Sequence, residues 1–372
     1  MGRGIADFAP GPDMLFASAS YKEIRVPPMA MARRLFLTAL GAGLASCGRN
    51  ASTSPKPGAL DTGRLDREFP ALAARARPGD FNLGVLEARG EQLWCWNAPA
   101  RMPMQSIFKA PLAAAALAEA DAGRLKLSER IAIGPLDLSP PPSAINRAWP
   151  APPRPEVMSL PAVDLIALAV QESDNTAADV LMKRIGGPGA VTAWLRSKDI
   201  VDMRIDRYER ELQQEIAGMD SFRPAWKDEA AWTAARDAVP AATRQSAMDA
   251  YLADPRDTTT VPAALSFLYR LSLGDLISPA STRLLLRLMA TTGAGAHRLA
   301  AGLPPGATLA HKTGTARTDL GFTPATNDIG LVTLADGRRF AIAGFLSGST
   351  ATEAQRDALF ADAARLAAKA IG

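Results

Sequence analysis

The sequence predicts a two-domain α/β (α+β) fold: an antiparallel sheet built from both ends of the chain, flanked by N- and C-terminal helices, with an all-helical domain inserted. Three observations predict it: β-rich pairs near each end, an Ala/Leu-rich helical middle, and a helical segment outside each β-rich pair. Residues 60–77 carry helical apolar spacing. Phe81–Glu87 and Gln92–Trp96 flank a turn containing Gly90 and read as a hairpin. Residues 105–290 are mostly helical, with a proline-rich stretch at 135–155 that reads as an exposed loop. Ile329–Ala335 and Arg338–Leu346 flank Asp336-Gly337, a strong two-residue hairpin signal, and an amphipathic helix covers 352–370. The α/β domain is thus expected from 59–100 and 291–372, and the helical domain from 101–290.

The chain has 372 residues, 48% hydrophobic and 22% charged, which is the balance of an ordinary globular protein with a substantial core. Against 42 Lys+Arg stand 38 Asp+Glu, with no dense basic block, so a nucleic-acid groove is not indicated. Only two histidines are present, His297 and His311, with no HExxH, which makes a catalytic zinc a poor candidate. A Ser-His-Asp triad stays arithmetically open with two histidines to choose from, but proton transfer is expected to fall to Lys, Glu and Ser.

Residues 31–47 contain Arg33-Arg34-Leu35-Phe36-Leu37, then a short apolar run ending Leu44-Ala45-Ser46-Cys47. A charged start, a short apolar core and a small-residue end are the parts of a secretory signal, too short to span a bilayer. The twin arginine resembles a Tat signal, and Leu-Ala-Ser-Cys resembles a bacterial lipobox in which Cys47 becomes the acylated first residue; cleavage nearby without lipidation is the alternative. Signals begin proteins, so Met29 or Met31 is the expected start, with 1–28 an upstream extension and 48–58 a tether. Without Cys47, Cys95 has no disulfide partner.

Three short motifs carry the chemistry. Ser106-Ile107-Phe108-Lys109 opens a helical stretch, so serine and lysine share a face beside the unpaired N–H groups of a first helical turn. Such a turn suits an oxyanion, and the lysine suits activation of a nucleophile; alone, the motif equally fits a helix start with a solvated lysine. Ser173-Asp174-Asn175 forms a polar turn between two apolar helices, able to aim a hydroxyl and an amide into a cleft, or simply to cap a helix. Lys312-Thr313-Gly314 is expected to start a strand, where the glycine admits close backbone approach and the polar side chains meet a carboxylate.

Together, and in this order, Ser-x-x-Lys, Ser-Asp-Asn and Lys-Thr-Gly resemble the signature of class A serine β-lactamases and penicillin-binding proteins over about 60–372. The resemblance implies the serine β-lactamase fold, no cofactor, a monomer, and a small-molecule β-lactam substrate. Arg207-Tyr208-Glu209-Arg210-Glu211-Leu212 resembles the family's Arg-aromatic-Glu-x-x-Leu, which makes Glu209 the holder of the water that cleaves the acyl-enzyme. Glu211 lies at the wrong spacing from Leu212 for that role. Ser106 is then the nucleophile, with Lys109, or Glu209 through water, taking its proton, and Ser173 relays a proton to the leaving nitrogen. Asn175, Lys312, Thr313 and Thr315 are implied to bind substrate, with Thr315 also giving an oxyanion N–H. Arg298, fourteen residues before Lys312, is the implied auxiliary carboxylate binder, since Asn327 stands where other members carry that arginine. His311 reads as a packing residue at a strand end.

Two departures stand out. Gln213 replaces the family's water-holding asparagine, which raises the alternative of a β-lactam sensor that acylates without turnover; a D-Ala-D-Ala carboxypeptidase is the other alternative. The Ω loop, about 207–257, is greatly enlarged and includes helical stretches; Asp257 is expected to close it on Arg207, with the insert a surface appendage, or alternatively a flap beside the cleft.

Overall fold

The computed structural model describes residues 59–88, 92–149 and 157–372; the signal, Cys47, the tether and the Gly90 turn lie outside the described residues. Helix α1 (Thr62–Arg75), capped by the Asp61 carboxylate, leads into strands β1 (Asp80–Glu87) and β2 (Leu93–Cys95). Short β3 (Met102–Pro103) and a 3-10 turn, Gln105–Phe108, precede α2 (Lys109–Asp121). Next come β4 (Arg130–Ile133), α3 (Ala144–Arg147), β5 (Met158–Pro161), α4 (Ala162–Gln171), α5 (Asn175–Arg184) and α6 (Pro188–Ser197). The Ω region supplies α7 (Glu209–Ile216), α8 (Glu229–Asp237) and α9 (Ala241–Ala253), and β6 (Thr258–Thr259) closes it. Helices α10 (Val261–Leu273), α11 (Pro279–Ala290) and α12 (Leu299–Gly302) lead to β7 (Thr308–Thr315), β8 (Thr323–Thr333), β9 (Arg339–Ser349) and α13 (Glu353–Ala370).

The sheet runs β2-β1-β9-β8-β7, antiparallel throughout, so the N-terminal hairpin and the C-terminal strands form one surface. Side chains alternate across it with the period of two that a strand imposes. Phe81, Leu83 and Val85 of β1, with Phe340, Ile342 and Leu346 of β9, pack on α1 and α13 around Phe69 and Phe360. Leu86, Ile329, Ala343 and Phe345 face the other way and join the core of α2, α4, α5, α10 and α11. Gly84 has no room for a side chain: a Cβ there would lie 2.3 Å from Val261 Cγ1, so α10 packs directly on the strand backbone.

Three expectations are corrected. Lys312-Thr313-Gly314 ends β7 rather than starting it, because pairing with β8 already begins at Thr308 and Thr333. The middle of the proline-rich stretch, 138–146, is largely buried rather than exposed, although Leu136 before it is open to solvent: Ser139 and Asn146 are almost solvent-free. Prolines lack N–H groups, and the carbonyls of Ser139 and Pro140 accept from Asn146 Nδ2 (2.8 Å) and Asn175 Nδ2 (2.9 Å), so the segment is buried with these polar groups satisfied. The Ω insert, too, is no appendage. Trp232 of α8 enters the helical core, and Met248 and Tyr251 of α9 are buried against Leu212 and Ile216 of α7.

Candidate active site

The nucleophile turn sits where β7 meets α2. A Cβ on Gly314 would lie 2.6 Å from the Met104 carbonyl oxygen and 3.1 Å from the Ser106 nitrogen, so only glycine lets β7 approach this backbone. Asn327 on β8 braces the same segment, its Nδ2 donating to the carbonyls of Pro103 (2.8 Å) and Met104 (3.0 Å). It therefore braces the backbone that leads into Ser106.

Lys109 stands on the first turn of α2 with its side chain fully buried. Its Nζ donates to Ser106 Oγ (3.0 Å), the Ser173 carbonyl (2.7 Å) and Asn175 Oδ1 (2.5 Å), and pairs with Glu209 Oε1 at 2.9 Å. Ser106 Oγ in turn donates to the same Glu209 oxygen at 3.3 Å. Serine, lysine and glutamate thus form a closed triangle around one hydroxyl.

Ser173 has the left-handed φ of 53°, uncommon for a side chain with Cβ. Its carbonyl is held by Lys109, and the next residue locks the turn: Asp174 caps α5 through Ala177 N and also accepts from Ser143 Oγ and Ile145 N. The result places Ser173 Oγ between two ammonium groups, 3.5 Å from Lys109 Nζ and 3.0 Å from Lys312 Nζ. Lys312 also donates to the Thr313 carbonyl (2.9 Å). Burial and, after it, the charge of Lys109 push the Lys312 ammonium down to about 7. Arg298 reaches the same wall: its Nη2 donates to Thr315 Oγ1 at 2.8 Å while Asp357 fixes its Nε at 2.9 Å. Lys109, Lys312 and Arg298 thus gather donors along the cleft, balanced by the carboxylates of Glu209, Asp328 and Asp357. His311 lies within β7 rather than at a strand end and is buried against Asp328, with Nδ1 2.8 Å from its Oδ1.

Glu209 opens α7, and its presentation depends on a residue the sequence did not reveal. Asp179 on α5 accepts from the backbone N–H of Glu209 (2.6 Å) and Arg210 (3.0 Å) and from Ser139 Oγ (2.6 Å), capping α7 from outside. Burial, and next the nearby Glu209 charge, raise the Asp179 carboxyl to about 7. An acid inside the apolar run Ala177–Met182 was the available signal. Gln213, one turn on, donates from Nε2 to Glu209 Oε2 at 2.9 Å, so the longer side chain still reaches the carboxylate. Arg207 Nε meets Asp257 Oδ2 at 2.6 Å and closes the Ω region. The insert then reaches the cleft rim twice: Tyr251 Oη accepts from Gln105 Nε2 (2.6 Å), and Glu229 pairs with Arg317, which also donates to the Pro141 carbonyl (2.7 Å).

A serine hydroxyl hydrogen-bonded to both a lysine and a glutamate, at the seam of an antiparallel sheet and a helical core, has the arrangement of an acyl-transferring serine hydrolase. The chain belongs to the β-lactamase enzyme family, whose sequence profile matches residues 64–371. It is 27% identical to β-lactamase VEB-1 of Pseudomonas aeruginosa over 293 residues, 78% of this chain and 85% of that one. Among solved structures, a β-lactamase from Chitinophaga pinensis superposes with a TM-score of 0.67 at 30% identity, covering 82% of this chain and 99% of that one. The class A β-lactamase of the last common ancestor of Gram-negative bacteria gives 0.65 at 31% identity, covering 83% and 99%.

Proposed function

We propose that the protein hydrolyses β-lactam antibiotics through an acyl-enzyme on Ser106 and so confers β-lactam resistance. The observation that carries this reading is the Glu209 carboxylate, buried, in contact with both Ser106 Oγ and Lys109 Nζ, and steadied on its far oxygen by Gln213. Ser106 Oγ attacks the lactam carbonyl, and its proton passes to Lys109 or, through water, to Glu209. Backbone N–H groups of Ser106 and Thr315 hold the oxyanion. Ser173, between the two lysines, hands a proton to the departing nitrogen, while Lys312, Thr313, Thr315 and Arg298 hold the substrate carboxylate and Asn175 its amide. Glu209 then takes a proton from water as that water attacks the ester, freeing Ser106 and releasing the opened acid. Mixing the protein with a chromogenic cephalosporin and following both colour and intact protein mass tests this. Rapid multiple turnover is expected; a stoichiometric burst with a lasting adduct would instead mark a sensor, and cleavage of a D-Ala-D-Ala peptide a carboxypeptidase.

The protonation of Lys312 gives this reading a pH signature. The substrate carboxylate is anionic across the working range, so Lys312 attracts it only while charged. With its proton leaving at about 7, kcat/KM should fall as pH rises through that value, because kcat/KM reports the free enzyme. Arginine stays charged at all accessible pH, so Lys312→Arg is expected to move this alkaline limb upward. A pH–rate profile in which the limb stays in place would assign it to another group.

Export is proposed from residues 31–47 alone: the Arg33-Arg34 signal sends the chain to the periplasm, and an acylated Cys47 tethers it to the membrane. Cys47→Ala should then move the activity from the membrane to the soluble periplasmic fraction. A mature protein whose first residue, by mass spectrometry, is not Cys47 would remove the tether.

A further inference from the structure

The enlarged Ω region places a phenol at the end of a hydrogen-bond chain that terminates on the glutamate. Gln213 Nε2 spends its two N–H groups on Glu209 Oε2 (2.9 Å) and Gln105 Oε1 (3.2 Å). Gln105 Nε2 donates to Tyr251 Oη at 2.6 Å. Gln105 and Tyr251 are both buried, and Gln105 has the left-handed φ of 47° directly before the nucleophile. The chain has one consistent polarity. A carboxylate accepts only, so Gln213 must turn its amino group toward Glu209; the same amino group meets the carbonyl of Gln105; and the amino group of Gln105 is left needing an acceptor. Tyr251 Oη is that acceptor. Burial holds the phenol well above its usual ionisation range, so it stays a neutral hydroxyl. Packing sets its position: the Tyr251 ring lies against Leu212 and Ile216, which share α7 with Glu209 and Gln213.

We infer that Tyr251 is a positioning residue for acyl-enzyme hydrolysis, acting through Gln105 and Gln213 to hold the Glu209 carboxylate in its working orientation. The inference rests on the reading of Glu209 as the base that activates water. Removing the hydroxyl leaves a buried amino group of Gln105 without an acceptor; Gln105 relieves this by turning, and Gln213 loses its second partner. Ser106 and Lys109 keep each other and Glu209 Oε1, so the first chemical step is spared.

The test is Tyr251→Phe, which keeps the ring and its packing, measured beside the wild type, Gln213→Ala and the double variant. Steady-state rates on a chromogenic cephalosporin are combined with decay of the covalent adduct by time-resolved intact mass. When ester hydrolysis limits turnover, a slower second step lowers kcat and KM together and leaves kcat/KM in place. Tyr251→Phe is expected to slow adduct decay and kcat by about fivefold, the size of one hydrogen bond, with kcat/KM within about twofold. In the Gln213→Ala background the same change should add nothing. Equal fall of kcat and kcat/KM would reduce Tyr251 to a packing role; unchanged adduct decay in a wild type that turns over would make the hydroxyl idle; additive effects would place it on another route. A wild type that neither turns over the cephalosporin nor forms an adduct would overturn the hydrolytic reading, and this inference with it.

Discussion

Ser106→Ala should bind β-lactams, show no covalent adduct by intact mass, and lose turnover by roughly 10⁴-fold or more, as removal of a nucleophile does in other serine hydrolases. The magnitude follows from the triangle around its hydroxyl. Lys109 and Glu209 act on a substrate only through the bond that Ser106 Oγ forms, and neither replaces it: both are engaged with the serine and with each other, and the carboxylate also accepts from Gln213. Binding survives, because the proposed carboxylate-binding side chains Lys312, Thr315 and Arg298 do not use Ser106. Folding survives too, since the Lys109–Glu209 pair at 2.9 Å stays intact and Lys109 keeps the Ser173 carbonyl and Asn175 Oδ1 as acceptors. An unchanged or higher melting temperature is expected. A drug-mass adduct on the alanine variant would move the nucleophile elsewhere, with Ser173 the first residue to examine.

What the sequence made legible were the groups that sit together along the chain. Ser106 and Lys109 share a turn, Ser173 and Asn175 share a loop, and Lys312 to Thr315 share a strand end, so three short motifs expose them. The sheet was legible for a similar reason: Asp336-Gly337 and alternating apolar residues mark the last hairpin locally. What stayed hidden depends on contacts between distant segments. Asp179 meets Glu209 thirty residues away, and Tyr251 meets Gln105 across 146. Nothing in the local pattern of α9 distinguishes Tyr251 from any aromatic on an amphipathic helix. The insert was misjudged on the same ground, since a polar helical stretch reads as solvated until its one buried face, Trp232 in α8 or Met248 and Tyr251 in α9, is seen against α7 and the core. Gln213 departs from the family's asparagine in sequence, yet its longer side chain brings one amide nitrogen to both Glu209 and Gln105, a contact that only the fold reveals.

Glu209→Ala should separate the two halves of the reaction: acylation continues, and the adduct on Ser106 accumulates, its decay slowed by about 10²–10⁴-fold, the usual contribution of a positioned general base. The two carboxylate oxygens face different tasks. Oε1 meets Ser106 and Lys109, where the first proton leaves, and Oε2 meets Gln213, on the side that steadies the group. Loss of the side chain removes both, yet Lys109 Nζ remains 3.0 Å from Ser106 Oγ. Persistence of fast acylation in the variant would therefore show that Lys109 suffices as the first proton acceptor, and acylation slowed in step with adduct decay would assign both transfers to Glu209. Breaking a fully buried ion pair costs about 3–5 kcal/mol when one charge is left alone, so the alanine variant should also melt lower. Glu209→Gln keeps the shape and can still hydrogen-bond, but cannot accept a proton from water. The two variants should share the long-lived adduct even if they differ in melting temperature, which separates the chemical loss from the structural one. Adduct lifetimes equal to wild type in both would remove Glu209 from the mechanism and leave ester hydrolysis without a base among the residues gathered at this site.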